Sequence, residues 1–147
     1  MSKIIFLFIF MFSLTAGAQK LKESKVPEVV LKNFKKEYPD LTVKSWEKEG
    51  ALYEAEVKGE GPGRTYLYDA KGQFVAIEEE MSVAEVPSAI MNYLMKNFPG
   101  MVAQEYTRVV KADGTATYEA DINNEDLLFD GSGNFTGKET EPENKKD

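Results

Sequence analysis

The chain has 147 residues and a formal net charge of −7 at pH 7, and it contains neither cysteine nor histidine. Their absence excludes disulfides, thiolate nucleophiles, Cys/His zinc sites and imidazole bases. The negative charge also argues against a nucleic-acid partner, because phosphates are bound by basic surfaces.

The N-terminal segment predicts an export signal. Lys3 precedes an apolar run over residues 4–12, and an Ala-Gly-Ala sequence ending at Ala18 is typical of a cleavage site. The run is shorter than the roughly 20 residues that a bilayer-spanning helix needs. We therefore predict a signal peptide over residues 1–18 and a periplasmic or secreted product with no membrane span after signal removal. A membrane anchor is the less favoured alternative.

Two segments flank the predicted domain, which spans residues 26–139. Residues 19–25 are polar and basic, which predicts a leader or linker. Residues 140–147 are charged and contain too few apolar groups to offset the entropy of ordering them, so we predict a disordered tail.

The domain contains an internal repeat. Val26-Pro27 returns as Val86-Pro87, sixty residues later. Self-similarity at a fixed period indicates a repeated structural unit. We predict repeat 1 over residues 26–80 and repeat 2 over residues 86–139.

Each repeat begins with a predicted helix. Proline is favoured in the first turn, where its missing N–H costs nothing, and apolar residues follow it at helical spacing. The helices are expected to end at Tyr38-Pro39 and Phe98-Pro99, because proline disfavours a helical conformation in the preceding residue.

After each helix, apolar and polar residues alternate, which predicts antiparallel strands joined by glycine-containing turns. The strands of repeat 1 are expected over Val43–Glu49, Leu52–Lys58, Arg64–Asp69 and Gln73–Glu79, and those of repeat 2 over Val102–Lys111, Thr115–Ile122, Glu125–Asp130 and Asn134–Glu139. The predicted fold is α+β, a tandem repeat of one helix plus a four-stranded antiparallel sheet.

The turns determine the register and therefore the faces of the sheet. A two-residue turn at Gly50 places Trp46 opposite Ala55, and a turn ending at Gly114 places Tyr106 opposite Ala120. The side expected to pack on the helices carries Trp46, Tyr53, Ala55, Val57, Tyr66, Tyr68, Phe74, Ala76, Tyr106, Val110, Tyr118, Ala120, Ile122, Leu127, Phe129 and Phe135. The aromatic residues are thus predicted to form the core, and a recognition surface is the alternative.

The predicted open side differs between the repeats. In repeat 1 it carries Thr65, Leu67, Val75 and Ile77, where repeat 2 is mostly polar. Exposed apolar clusters mark protein contacts. We therefore predict a binding patch at these four residues.

Carboxylates share this open side, and the site prediction includes Glu47, Glu54 and Glu56. The corresponding residues of repeat 2 are Glu105, Glu119 and Asp121. A solvated face, a basic partner and Ca²⁺ all remain open, although no run has the ligand spacing of a calcium loop. Glycoside hydrolysis, which uses paired carboxyls, is disfavoured because an exposed sheet is not expected to raise a carboxyl pKa.

The chain resembles a known family of exported proteins, the PepSY-like, β-lactamase-inhibitor-like proteins. The resemblance rests on an ordered set that covers nearly all of residues 26–138: Val26-Pro27, Phe34, Tyr38-Pro39, Trp46-Glu47, Tyr53-Glu54-Ala55-Glu56-Val57 and Asp69-x-x-Gly72, with Tyr118-Glu119-Ala120 and Asp130-x-x-Gly133 in the second repeat. It implies that the sheets of the two repeats form one curved surface. The chain departs from the inhibitors of this shape in having no disulfide.

These observations predict a non-catalytic binding module that contacts a protein or peptide through the open sheet face. Inhibition of an exported enzyme is one form that this function would take. No cofactor, metal site or catalytic residue is predicted. The alternative hypothesis is a Ca²⁺-binding or structural envelope protein.

Overall fold

The computed structural model describes residues 19–59 and 61–140. The predicted signal peptide and residues 141–147 of the predicted tail therefore lie outside the described residues, whereas Thr140 is the last residue of the final strand. The helices are α1 (Glu28–Glu37) and α2 (Ser88–Asn97), each preceded by a short 3-10 helix, Glu23–Lys25 and Val83–Glu85. The strands are β1 (Gln19–Leu21), β2 (Val43–Glu49), β3 (Leu52–Val57), β4 (Arg64–Asp69), β5 (Phe74–Glu80), β6 (Glu105–Lys111), β7 (Ala116–Ile122), β8 (Glu125–Phe129) and β9 (Phe135–Thr140).

The strands of the described chain form one antiparallel sheet, in which spatial order follows chain order from β1 to β9. This confirms the predicted α+β class and the antiparallel arrangement. The finer prediction, a tandem repeat of one helix plus a four-stranded sheet, is not confirmed. β5 and β6 are hydrogen-bonded neighbours, with Ile77 opposite Val110, so the sheet continues without interruption across the predicted repeat boundary.

The first strand lies within residues 19–25, the segment interpreted above as a leader or linker. Gln19–Leu21 pairs with β2, and Leu21 lies opposite Trp46. The side chain of Leu21 packs against the core beside α1. One apolar residue in a polar segment is enough to give this edge strand a packed side.

Each helix begins directly after its Val-Pro pair, with Pro27 or Pro87 at the N-cap. The buried residues of α1 are Val30 and Phe34, four positions apart and therefore on one face. Ile90 and Leu94 repeat this spacing in α2. Each helix thus presents one narrow apolar stripe to the sheet.

Two core clusters lie under these stripes. The first contains Val26, Val30, Phe34, Trp46, Ala55, Tyr66 and Tyr68. The second contains Ile90, Leu94, Tyr106, Ala120, Ile122, Leu127 and Phe129. The ring of Phe34 lies 5.7 Å from those of both Trp46 and Tyr66, in edge-to-face arrangements that aromatic pairs favour. The predicted core role of the aromatic residues is confirmed for Trp46, which is 5% exposed.

An Asp-x-x-Gly turn joins β4 to β5, and the same turn joins β8 to β9. In the first, the Asp69 carboxylate accepts hydrogen bonds from the backbone N–H groups of Lys71 and Gln73. Gly72 has a left-handed φ of 76°, and its carbonyl accepts a hydrogen bond from the Asn33 side chain of α1. The turn therefore closes a hairpin and also anchors the helix.

A β-bulge corrects the predicted faces of β5. Leu67 pairs with Ala76 but Tyr68 pairs with Phe74, so Val75 is an extra residue that interrupts the alternation. Ile77 consequently lies on the helix side, where it packs against the first cluster, and Ala76 lies on the opposite side. The prediction had placed these two residues the other way round, because it assumed unbroken alternation.

The stability effect of the close approach of Gly72 to α1 can be measured separately from the effect of its positive φ. A Cβ at residue 72 would lie 2.9 Å from the Cγ2 of Val29 and 3.0 Å from its carbonyl oxygen. A Cβ at Gly114, which has a similar φ of 83°, would meet nothing within 4 Å. We expect Gly114→Ala to lower the free energy of unfolding by about 1 kcal/mol through φ alone. Gly72→Ala should lower it by about 2–4 kcal/mol, because overpacking against α1 is added. Urea unfolding measures both, and equal losses would contradict the proposed contact.

Candidate binding face

The two helices leave one side of the sheet without a helix. Both core clusters lie on the side that carries Trp46 and Tyr106. Because neighbouring residues of a strand point to opposite sides, the residues between these core positions form the second side, named here the open face.

Acidic residues dominate the open face. Cross-strand pairing places Glu47 opposite Glu54, and Glu105 opposite Asp121, which pairs in turn with Asp126. By this register the acidic residues of the open face are Glu47, Glu49, Glu54, Glu56, Glu78, Glu80, Glu105, Glu119, Asp121, Asp126 and Glu139. Like charges on neighbouring strands repel one another.

Only part of this set was predicted from the sequence. Glu49 has the same parity as Glu47, so alternation alone was sufficient to include it. Glu78 and Glu139 reach the open face because β-bulges at Val75 and Thr136 shift the strands that carry them. Nothing in the local sequence signals these bulges except that both follow the same Asp-x-x-Gly turn.

The open face is recessed. Leu52, Leu67 and Ala76 lie on it, yet they are only 5%, 4% and 3% exposed. The side chains around them, including Glu54 and Glu78, are themselves only partly exposed. The carboxylates therefore lie in surroundings drier than a flat sheet surface would provide.

Burial and mutual repulsion raise the pKa of three carboxyls on this face. Desolvation, followed by the neighbouring Glu78 and Glu49 charges, raises the pKa of Glu54 from 4.5 to about 8. Desolvation is also the largest cause for Glu119, whose pKa rises to about 8, and for Glu78, whose pKa rises to about 7. The expectation that an open sheet does not raise carboxyl pKa values is therefore wrong.

These three carboxyls have no described basic partner, whereas Glu56 does. The Nζ of Lys44 and the hydroxyl of Ser45 donate hydrogen bonds to Glu56, and these bonds lower its pKa. Among the described residues, no lysine or arginine forms an ion pair with Glu54, Glu78 or Glu119. A cation that approached these three carboxyls would relieve their repulsion.

The structure brings together most of the predicted site residues. Glu47, Glu54 and Leu67 are consecutive partners across β2, β3 and β4, and Glu56 pairs with Thr65 beside them. Leu67 is buried instead of exposed, however, and Ile77 lies on the helix side. Val75 is the bulge residue. An exposed apolar patch at these positions is therefore not observed.

The open face offers little support for a metal site or a hydrolase. Within residues 19–59 and 61–140, no group of three or more acidic side chains is arranged to hold a metal ion. A carboxyl-pair hydrolase needs one carboxyl with a raised pKa and a partner that stays ionised. Glu54, Glu78 and Glu119 are all shifted upward, and Glu56, whose pKa is lowered, is already hydrogen-bonded to Lys44 and Ser45.

A family model described as "Putative beta-lactamase-inhibitor-like, PepSY-like" matches the chain twice, over residues 14–76 and 63–137. The chain therefore belongs to the PepSY-like family. No curated protein matches it.

Solved structures from Bacteroides share the fold. A protein of Bacteroides eggerthii described as "putative periplasmic" is 20% identical, with a TM-score of 0.68 over 78% of this chain and 88% of its own. A DUF2874 family protein of Bacteroides uniformis is 21% identical, with a TM-score of 0.66 over 77% and 88%. A BLIP-like protein of Bacteroides fragilis is 21% identical, with a TM-score of 0.61 over 79% and 88%. In the described part of this chain, no helix is long and apolar enough to cross a membrane.

The raised pKa values predict that stability falls as the pH rises. A carboxyl whose pKa is higher in the folded chain stabilises the fold below its unfolded pKa of about 4.5 and loses that contribution as pH rises through the folded value. For Glu54, Glu78 and Glu119 this window runs from about pH 4.5 to about pH 8. We expect Glu78→Gln to raise the free energy of unfolding at pH 8 by about 2 kcal/mol and to have little effect at pH 5.

Urea unfolding between pH 5 and pH 8.5 measures this difference. Glu56→Gln is the matched control on the same face, and it should give no gain at pH 8 because Glu56 is paired with Lys44. The prediction is wrong if Glu78→Gln and Glu56→Gln have the same effect at both pH values.

Proposed function

We propose that this chain is a non-catalytic periplasmic binding module whose open face binds a basic segment of a protein or peptide. The observation that carries the proposal is the recessed group of Glu54, Glu78 and Glu119 without a basic partner among the described residues. A ligand that supplies lysine or arginine side chains provides the missing charge.

The predicted export signal supports a periplasmic location. The name of the Bacteroides eggerthii relative, which is described as periplasmic, agrees with it. The family description supports the non-catalytic part of the proposal. A module that covers a basic surface on an exported enzyme would also inhibit that enzyme, and we include this in the proposal as one mode of action.

The distribution of the carboxylates favours a polypeptide over a single ion. Glu54 lies on β3, Glu78 on β5 and Glu119 on β7, so one intervening strand separates each from the next. Adjacent strands are about 4.8 Å apart, which spaces these positions at roughly 10 Å. Several side chains of one basic segment can reach carboxylates at this spacing, whereas the ligands of one Ca²⁺ must converge within about 2.6 Å of it.

Affinity for a defined cationic probe tests the proposal. We expect hexalysine to bind the full mature chain at low ionic strength. The double substitution Glu78→Gln/Glu119→Gln should raise the dissociation constant at least tenfold. Binding should also release protons near pH 7.5, because a cation lowers the raised pKa values. Isothermal titration calorimetry in buffers of different ionisation enthalpy measures the affinity and the proton release together.

The control removes the same number of negative charges from another part of the surface. Glu23→Gln/Glu28→Gln alters two exposed residues near the start of α1, and it should change the affinity less than twofold. Equal weakening by both double variants would reduce the interaction to net charge and contradict the proposal. Leu67→Asp is unsuitable for this test because Leu67 is buried and its loss would disturb folding.

A further inference from the structure

The chain contains only two arginines, and they converge on one carboxylate. The Nε of Arg64 lies 3.1 Å from one oxygen of Glu79, and a terminal nitrogen of Arg108 lies 3.6 Å from the other. Cross-strand register explains the arrangement, because Glu79 of β5 is opposite Arg64 of β4 and also opposite Arg108 of β6. Arg64, Glu79 and Arg108 therefore form a row across β4, β5 and β6, in the middle of the sheet.

This row lies on the helix side, at the boundary between the two core clusters. Two positions before Glu79, Ile77 packs against the first cluster. Tyr118, opposite Arg108, packs against the second cluster. The row thus occupies the space between the regions that α1 and α2 cover.

A cleft of about 270 Å³ opens over this row. Its walls include Pro62, Tyr118 and Met81 together with the arginines and Glu79. The arginine side chains are 52% and 45% exposed, whereas that of Glu79 is 25% exposed. The guanidinium groups are consequently accessible, although each is already oriented by Glu79.

The charged groups of the cleft differ in the hydrogen bonds and ion pairs that they already form. The Glu85 carboxylate accepts hydrogen bonds from the backbone N–H and the hydroxyl of Ser82. Among the described residues, each arginine forms an ion pair with Glu79 alone. A guanidinium has five N–H donors, so both arginines keep donors available for a second oxyanion.

We propose that this cleft binds the carboxylate of a small organic ligand, such as a free amino acid or the end of a short peptide. The two arginines hold the carboxylate, and Glu85 favours ligands that also carry an ammonium group. The volume of the cleft suits a ligand of this size, since it is just below the usual range for drug-sized molecules. The site is on the opposite side of the sheet from the open face and goes beyond the function proposed above.

The two arginines allow a direct test. Their side chains should give only two Nε–Hε signals in a ¹H–¹⁵N spectrum of the full mature chain, and Arg64→Lys and Arg108→Lys assign them. The probes are N-acetylalanine, its amide, alanine and inorganic phosphate. We expect both signals to shift with N-acetylalanine and with alanine, more strongly with alanine, and neither to shift with the amide.

Substitutions distinguish ligand binding by the two arginines from a purely structural role of their ion pairs with Glu79. Arg64→Gln and Arg108→Gln should each weaken N-acetylalanine binding at least tenfold, as followed by backbone amide shifts of residues around the cleft. Lys111→Gln removes the same charge from an exposed position outside the cleft and should leave the affinity within twofold. The proposal is overturned if the signals respond to phosphate alone, if the amide binds as well as the acid, or if the arginine variants alter only the melting temperature.

Discussion

The fold depends on both helices packing against the same side of one continuous sheet. Phe34 and Leu94 anchor them, and without disulfides the two core clusters carry most of the burial. Because successive residues of a strand point to opposite sides, the side chains between the core positions point away from the helices. The carboxylates at the alternate positions of these strands consequently lie on the opposite side, next to those of the neighbouring strands. The acidic face is thus a direct result of how the core is made.

Most of this architecture follows from the sequence. The Val-Pro pairs located the helices, and glycine-containing turns gave the pairing of Trp46 with Ala55 and of Tyr106 with Ala120. These signals are local, because a proline or a positive φ acts within a few residues. Glu47, Glu54 and Glu56 were assigned to their observed face for the same reason.

The errors arose where tertiary contacts override alternation. The bulge at Val75 moves Ile77 to the helix side, and a one-residue change of this kind reverses every position after it. Burial of Leu67 on the open face depends on neighbouring strands, which a single strand pattern does not report. The convergence of Arg64 and Arg108 on Glu79 likewise requires the pairing of β5 with β6, across the boundary that the repeat had suggested.

The raised pKa values of Glu54, Glu78 and Glu119 mean that the charge of the open face is not a fixed quantity. Near neutral pH these carboxyls hold protons for much of the time, so the free protein is less negative than its formal charge. An approaching cation displaces those protons and thereby increases the negative charge that attracts it. The negative charge of the open face would therefore increase when a basic group binds. It would stay low when the face is in contact with solvent or with other acidic proteins.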